Sequence, residues 1–309
     1  MSDNNINNTN NINTLILSGG GIIGFTFLGI LKELHQHNVW ELNNIKHIYS
    51  TSAGSIIALL ICLDIDWNIL TSYIVSNPWD NILRPSAKQI LNSFSQKGLY
   101  DKTVMEHIFD RLFAMKSLNI NTTLFEFYQL NNINLNIFSF DINTFTTVVL
   151  NYQTYPNMTL IDAVTISCSL PGLFKPNIID DKCLIDGGVL SNYPINECLE
   201  NLSKEGLNEN NVLGLKLCYD SELQENRNVI ITENTNLLDY IMGVTLNSIN
   251  YITNTIKEKE IKNTIKCCLD KSPMTMNSMK ECLQNKEKRI QLIENGIKIA
   301  KEFVKAKVL

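Results

Sequence analysis

The sequence predicts an α/β fold with a mainly parallel central sheet and a helical C-terminal part, and three observations carry the prediction. Apolar strand-like runs alternate with helix-like runs in the N-terminal half, the order that builds parallel sheets faced by helices. Glycines and other small residues stand at the points where strand gives way to helix. Beyond Asp220 the chain turns more polar and reads as helical. Its 309 residues suffice for one large domain or two ordinary ones.

Residues 1–13 are Asn-rich and polar, a low-complexity arm expected to be disordered and unlike a secretory signal. Thr14 to Leu17 reads as the first strand. Phe25 to His37 follows as a helix, with Phe27, Leu28, Ile30, Leu31 and Leu34 at apolar positions. Asn44 to Tyr49 is a second strand and Ser55 to Leu63 a buried helix. Residues 64–130 form a mostly helical insertion broken at Pro78, Pro85 and Gly98. Leu135 to Phe140 and Thr146 to Leu150 read as paired strands. Leu160 to Ser169 reads as a helix, Cys183 to Ile185 as a short strand and Val212 to Tyr219 as a core strand. The expected division is an arm over 1–13, a core over 14–220 with the helical insertion within it, and a helical region over 221–309 packed on that core. Within the last, Lys286 to Leu309 places Ile290, Ile293, Ile297, Ala300, Val304 and Val308 at helical spacing. A helix packed on the domain with a solvated basic face is the preferred reading, and a membrane-surface helix the alternative.

Hydrophobic content of 44% with 18% charged residues describes a globular chain, and a net charge of −5 disfavours nucleic acid as a partner. The 8 cysteines show no Cys-x-x-Cys spacing, and several (Cys62, Cys168, Cys218) sit in apolar runs. Reduced thiols and an intracellular setting are expected. Leu15 to Leu31 is interrupted by glycines and Ser55 to Leu63 falls short of the roughly 20 residues a membrane span needs. Membrane contact is therefore expected from the surface.

Ser52 lies between the second strand and the helix after it. A serine at such a sharp turn is held strained with its hydroxyl at a helix N-terminus, where N–H groups favour developing negative charge. Ser50 and Gly54 supply the small neighbours the crowded turn requires, in an x-x-Ser-x-Gly pattern. Upstream, Ser18-Gly19-Gly20-Gly21-Ile22-Ile23-Gly24 lets backbone N–H groups converge on an anion. Gly19-x-Gly21-x-x-Gly24 also satisfies a dinucleotide fingerprint. That site requires an acidic residue at the end of the second strand, however, and Glu41 precedes the strand. An oxyanion hole is the stronger reading. Of the histidines His35, His37, His47 and His107, only His107 follows Ser52, and it sits in the helical insertion without a loop signature. Asp186-Gly187-Gly188, after a short strand, offers a carboxylate base instead. No His, Cys and carboxylate residues stand at metal-ligand spacing, so no metal or cofactor is expected.

The run Cys168-Ser169-Leu170-Pro171-Gly172-Leu173-Phe174-Lys175-Pro176, then Leu184-Ile185-Asp186-Gly187-Gly188-Val189-Leu190-Ser191-Asn192-Tyr193-Pro194, resembles the signature of patatin-like phospholipases. With the glycine loop and the Ser52 turn, three landmarks of that family occur in order. The resemblance implies a three-layer α/β/α fold and a lipid acyl hydrolase of phospholipase A type. It maps the nucleophile to Ser52 and the base to Asp186, with the oxyanion held by Gly20 and Gly21 in a loop shaped by Gly19 and Gly24. It also implies a phospholipid or other lipid ester as substrate, met at a membrane surface, and a reaction needing no metal. No motif specifies a protein activator. Two departures stand out: Ile23 occupies a position often Arg or Lys in the family, and Ser50 replaces the first glycine of the turn. They support an alternative, a non-catalytic lipid-binding or interaction protein that keeps the fold.

Overall fold

The computed structural model of the chain describes residues 12–219, 229–269 and 276–308. In order, β1 (Thr14–Leu17), α1 (Gly24–Gln36), β2 (His47–Thr51) and α2 (Ala53–Cys62) form the opening unit. Next come α3 (Trp67–Ser76), α4 (Trp79–Ile82), α5 (Ala87–Gln96), β3 (Gly98–Tyr100), α6 (Thr103–Met115) and α7 (Leu124–Asn131). These are followed by β4 (Asn134–Asp141), β5 (Thr146–Leu150), α8 (Leu160–Ser167), β6 (Gly172–Phe174), β7 (Asn177–Ile179) and β8 (Lys182–Asp186). Finally α9 (Ile195–Glu205), β9 (Val212–Tyr219), α10 (Leu237–Thr255), β10 (Thr264–Leu269), α11 (Met276–Gln284) and α12 (Lys286–Val308) close the chain. Side chains set several boundaries: Asp66 caps α3 by accepting the Asn68 N–H at 2.8 Å, and Thr123 with Glu126 forms a capping box on α7.

The main sheet runs β10-β9-β1-β2-β4-β8-β7, with β5 also paired to β4. Pairings from β10 to β4 are parallel, and β5, β8 and β7 join antiparallel. Strand β5 takes one edge of β4 over Ile137–Asp141. Strands β2 and β8 therefore share the other edge end to end, Thr51 opposite Phe138 and Asp186 opposite Ser139.

Alternation along the strands feeds two cores. Leu15, Leu17 and Ile48 enter the larger one, beneath α1, α2 and α8. Ile16, Tyr49 and Phe138 enter the other, covered by Ile195, Cys198 and Leu202 of α9. The result is a three-layer α/β/α fold with a mostly parallel sheet.

Of the arm expected over 1–13, residues 1–11 lie outside the described residues. Ile12 is buried, and Asn13 donates its N–H to Asn211 O and accepts from Lys46, so these last two residues of the expected arm pack on the fold. The region beyond Asp220, expected to be helical, also supplies β10. This is an edge strand in which Ile265 and Cys267 are buried while Lys266 and Cys268 face out. The lysine on its outer face, common on edge strands, and the charged residues that flank it hide it in the sequence. Helix α12 lies along α1 at a close crossing. A Cβ on Gly29 would strike Ile293 O, and one on Gly296 would strike Thr26 O. Ile293 and Ala300 are buried, so the helix spends its apolar stripe on the protein rather than on a membrane. Among the described residues no helix is long and apolar enough to cross a membrane.

Candidate active site

Ser52 joins β2 to α2 with φ 51° and ψ −127°, a region that non-glycine residues occupy only when their surroundings hold them there. The holding groups are identifiable. The Ser52 N–H donates to Ser167 Oγ at 2.8 Å, and that hydroxyl donates to Phe138 O at 2.6 Å, fastening the turn to the neighbouring strand. Ser52 O accepts the Ser55 N–H at 2.7 Å and the Ser55 hydroxyl at 2.6 Å. A side chain on Gly54 would run into the carbonyl oxygens of Leu17 and Ser18, so α2 leaves the turn against the end of β1 only because this residue is glycine. Ser50 is fully buried in β2, and its hydroxyl finds no hydrogen-bond partner among the described residues.

Asp186 ends β8 and is 4% exposed. Although 134 residues away in sequence, its Oδ2 accepts the Ser52 hydroxyl at 2.6 Å, because Ser52 directly follows β2 and Asp186 ends β8 on the same edge of β4. Oδ1 accepts the Gly188 N–H at 2.7 Å. Burial pushes the carboxyl up from 3.8 to about 6, against the pull of these two hydrogen bonds. Gly187 is required here, since its Cβ would meet Phe138 O, and a Cβ on Gly188 would press on Asn192 Oδ1 and Asp186 Oδ1 at 3.0 Å.

The glycine loop closes the third side. Gly19 donates its N–H to Asn192 O at 3.0 Å, and a Cβ there would collide with Asn192 Oδ1 and approach Ser52 Cβ at 3.2 Å. Gly21, at φ 52°, opens a 3-10 turn over Gly21–Ile23, where the first N–H groups lie outside the helical ladder. Gly24 starts α1, and a Cβ there would make only ordinary contact with Ile57 at 3.5 Å. Ile23 is buried, so the family's cation position contributes here to the core.

Ser52, Asp186, Gly20, Gly21 and Asn192 line a cavity of about 980 Å³, whose largely apolar lining includes Phe25, Ile57, Leu60, Leu99, Met105 and Leu170. A largely apolar cavity with a few convergent polar groups at Ser52 and Asp186 suits a ligand with one ester and a long hydrocarbon tail. Cys168 lies beside the pair, its thiol pushed up by burial and by the Asp186 charge.

The structure thus brings Ser52, Asp186, Gly19, Gly20, Gly21, Gly187 and Gly188 to one place. His107 is exposed on α6 and its Nδ1 turns back to Thr103 O. Glu41 stands 3.2 Å from His35 Nε2 rather than at the glycine loop, so the ribose contact of a dinucleotide site is missing. Sequence reasoning passed over Ser167 and Asn192. The only available signal was their position inside or just before the signature stretches. Among the described residues no group of three or more His, Cys, Asp or Glu is placed to hold a metal ion.

A family model for patatin-like phospholipases matches residues 15–199. The chain belongs to the patatin-like phospholipase family. Its relatives include an uncharacterized protein of Acanthamoeba polyphaga mimivirus, 28% identical over 295 residues, covering 95% of this chain and 94% of that protein. A probable lipid hydrolase of Invertebrate iridescent virus 6 is 27% identical over 195 residues, covering 62% of this chain and 65% of the relative. A triacylglycerol lipase of Schizosaccharomyces pombe is 30% identical over 172 residues, 52% of this chain and 33% of the lipase. Among solved structures, VipD from Legionella pneumophila shares the fold with a TM-score of 0.50 at 15% identity, over 93% of this chain and 67% of VipD. Membership of this family supports hydrolysis of lipid esters.

Proposed function

We propose that the protein is a lipid acyl hydrolase of phospholipase A type in which Ser52 is the nucleophile and Asp186 the general base. The observation that carries this reading is the 2.6 Å hydrogen bond from the Ser52 hydroxyl to the buried Asp186 carboxylate, both lining a largely apolar cavity. As Ser52 Oγ attacks the ester carbonyl, its proton passes to Asp186 Oδ2. The carbonyl oxygen becomes an oxyanion facing the N–H groups of Gly20 and Gly21, each such donor contributing about 3–4 kcal/mol. Collapse expels the alcohol, which leaves with the proton from Asp186. Water then attacks the acyl-enzyme, giving one proton to Asp186 and its oxygen to the departing fatty acid, and the proton returns to Ser52.

A carboxylate base raised to about 6 is half-deprotonated at mildly acidic pH and fully available near neutrality. The cavity would hold the acyl chain while the ester sits over Ser52. The 8 free thiols fit a reducing, intracellular compartment, with substrate reached at a membrane surface.

The experiment is hydrolysis of mixed phospholipid vesicles and of a soluble short-chain ester by wild type and Ser52→Ala. Loss of both activities in the variant supports the reading. A wild type silent on both substrates, yet binding lipid, would favour the non-catalytic alternative that Ile23 and Ser50 suggested.

A further inference from the structure

Helix α5 stands apart from the other helices of the insertion because none of its residues is buried. Ile90, Leu91 and Phe94 are 52%, 78% and 75% exposed. At 100° per residue they fall within one stripe of about 100°. The helix is secured by its own ends rather than by packing. Ser86 and Gln89 form a capping box at 3.2 and 2.8 Å, and Lys97 closes the other end in the left-handed conformation.

Its position ties it to the cavity. Leu83, Arg84 and Pro85, just before α5, line that cavity, and so do Leu99 and Tyr100, just after it. The Tyr100 hydroxyl donates to Leu83 O at 2.6 Å, clamping the two ends of the excursion together. Charge is one-sided as well. From residue 84 to residue 100 the chain carries Arg84, Lys88 and Lys97 and no Asp or Glu, within a protein of net charge −5. None of these three cations forms an ion pair among the described residues.

We propose that α5 is the surface by which the protein docks on an anionic phospholipid bilayer: Ile90, Leu91 and Phe94 enter the headgroup boundary while Arg84, Lys88 and Lys97 meet lipid phosphates. An exposed apolar stripe with cations beside it is the arrangement that holds a helix in the plane of a membrane interface. Docked this way, the rim of the cavity faces the lipid, and an acyl chain can pass from bilayer to cavity without crossing water. The proposal deepens the hydrolase reading by naming how its substrate is reached, but the docking itself requires no catalysis.

The test uses the full chain carrying Ser52→Ala, sedimented with vesicles of phosphatidylcholine alone or of equal parts phosphatidylcholine and phosphatidylserine. Binding should favour the anionic vesicles and weaken with salt. The double substitution Leu91→Ser/Phe94→Ser should weaken it at least about tenfold. Lys88→Glu/Lys97→Glu should remove the preference for phosphatidylserine. In the Ser52-intact background both double variants should hydrolyse the soluble ester at the wild-type rate. Because Lys88, Leu91, Phe94 and Lys97 are all exposed, their melting temperatures should match wild type, which separates lost docking from lost folding. Wild-type vesicle binding by both variants would overturn the proposal. So would gel filtration showing a wild-type dimer that Leu91→Ser/Phe94→Ser dissolves while vesicle binding persists, since a second copy would then cover the face. A chain that binds vesicles through α5 but leaves the soluble ester intact would refute the hydrolase reading alone.

Discussion

Replacing Asp186 by Asn should abolish turnover and at the same time stabilise the fold. The carboxyl titrates at about 6 in the folded protein against 3.8 ordinarily, and it is buried. Between those two values the unfolded chain has lost its proton while the folded one keeps it, so folding stability falls as pH rises from about 4 to about 6. The displacement of roughly two pH units corresponds to about 3 kcal/mol, reached near pH 6 and constant above it. Asn keeps the geometry, because its amide oxygen can still accept the Gly188 N–H while its NH₂ donates to a Ser52 hydroxyl that now accepts. It carries no charge to desolvate, and it cannot take a proton from serine. The assay is denaturant unfolding of wild type and Asp186→Asn at pH 4, 6 and 8, with ester hydrolysis measured on the same samples. The stability advantage of the variant should open between pH 4 and 6 and then level off, while hydrolysis stays at background. A variant less stable than wild type at pH 8, or one that turns over normally, would refute the reasoning.

The remaining predictions follow from the same contacts. In wild type, kcat/KM should rise with pH through an acidic limb near pH 6, as Asp186 loses its proton, and a profile flat from pH 5 to 8 would remove Asp186 as the base. Ser50→Ala deletes a buried hydroxyl without a partner and should raise unfolding stability by about 1–2 kcal/mol with activity retained, measured by denaturant midpoint. Ser167→Ala removes the acceptor of the Ser52 N–H and should lower kcat by roughly tenfold with KM little changed, because it loosens the nucleophile rather than the cavity. Equal loss in kcat and in global stability would mark Ser167 as structural only.

Much of this arrangement was legible in the sequence because its parts are local. The glycine loop, the Ser52 turn and Asp186-Gly187-Gly188 each mark a strand end, where steric crowding admits few residue types, as Gly54 and Gly187 illustrate. Pro78, Pro85 and Gly98 bracket α4 and α5 as breaks should. The meeting of Ser52 with Asp186 was legible only through family resemblance, since it depends on two strands sharing one edge of β4, a register no local pattern encodes. Strand β10 was not legible because it is an edge strand with a lysine on its outer face, flanked by charged residues. The β3–β6 pair escaped because three residues hold no period, although the strands are close enough that a Cβ on Gly98 would collide with the Phe174 backbone. Asn192 gave no chemical signal of its own, because its contribution is a backbone carbonyl holding Gly19 and a side chain facing two glycines.

The central claim is that Ser52 is the nucleophile, and the most direct measurement is intact-mass analysis with peptide mapping after treatment with a fluorophosphonate. One adduct is expected, on Ser52, absent from Ser52→Ala and formed far more slowly in Asp186→Asn. An unmodified wild type, or an adduct on any other residue, would contradict it.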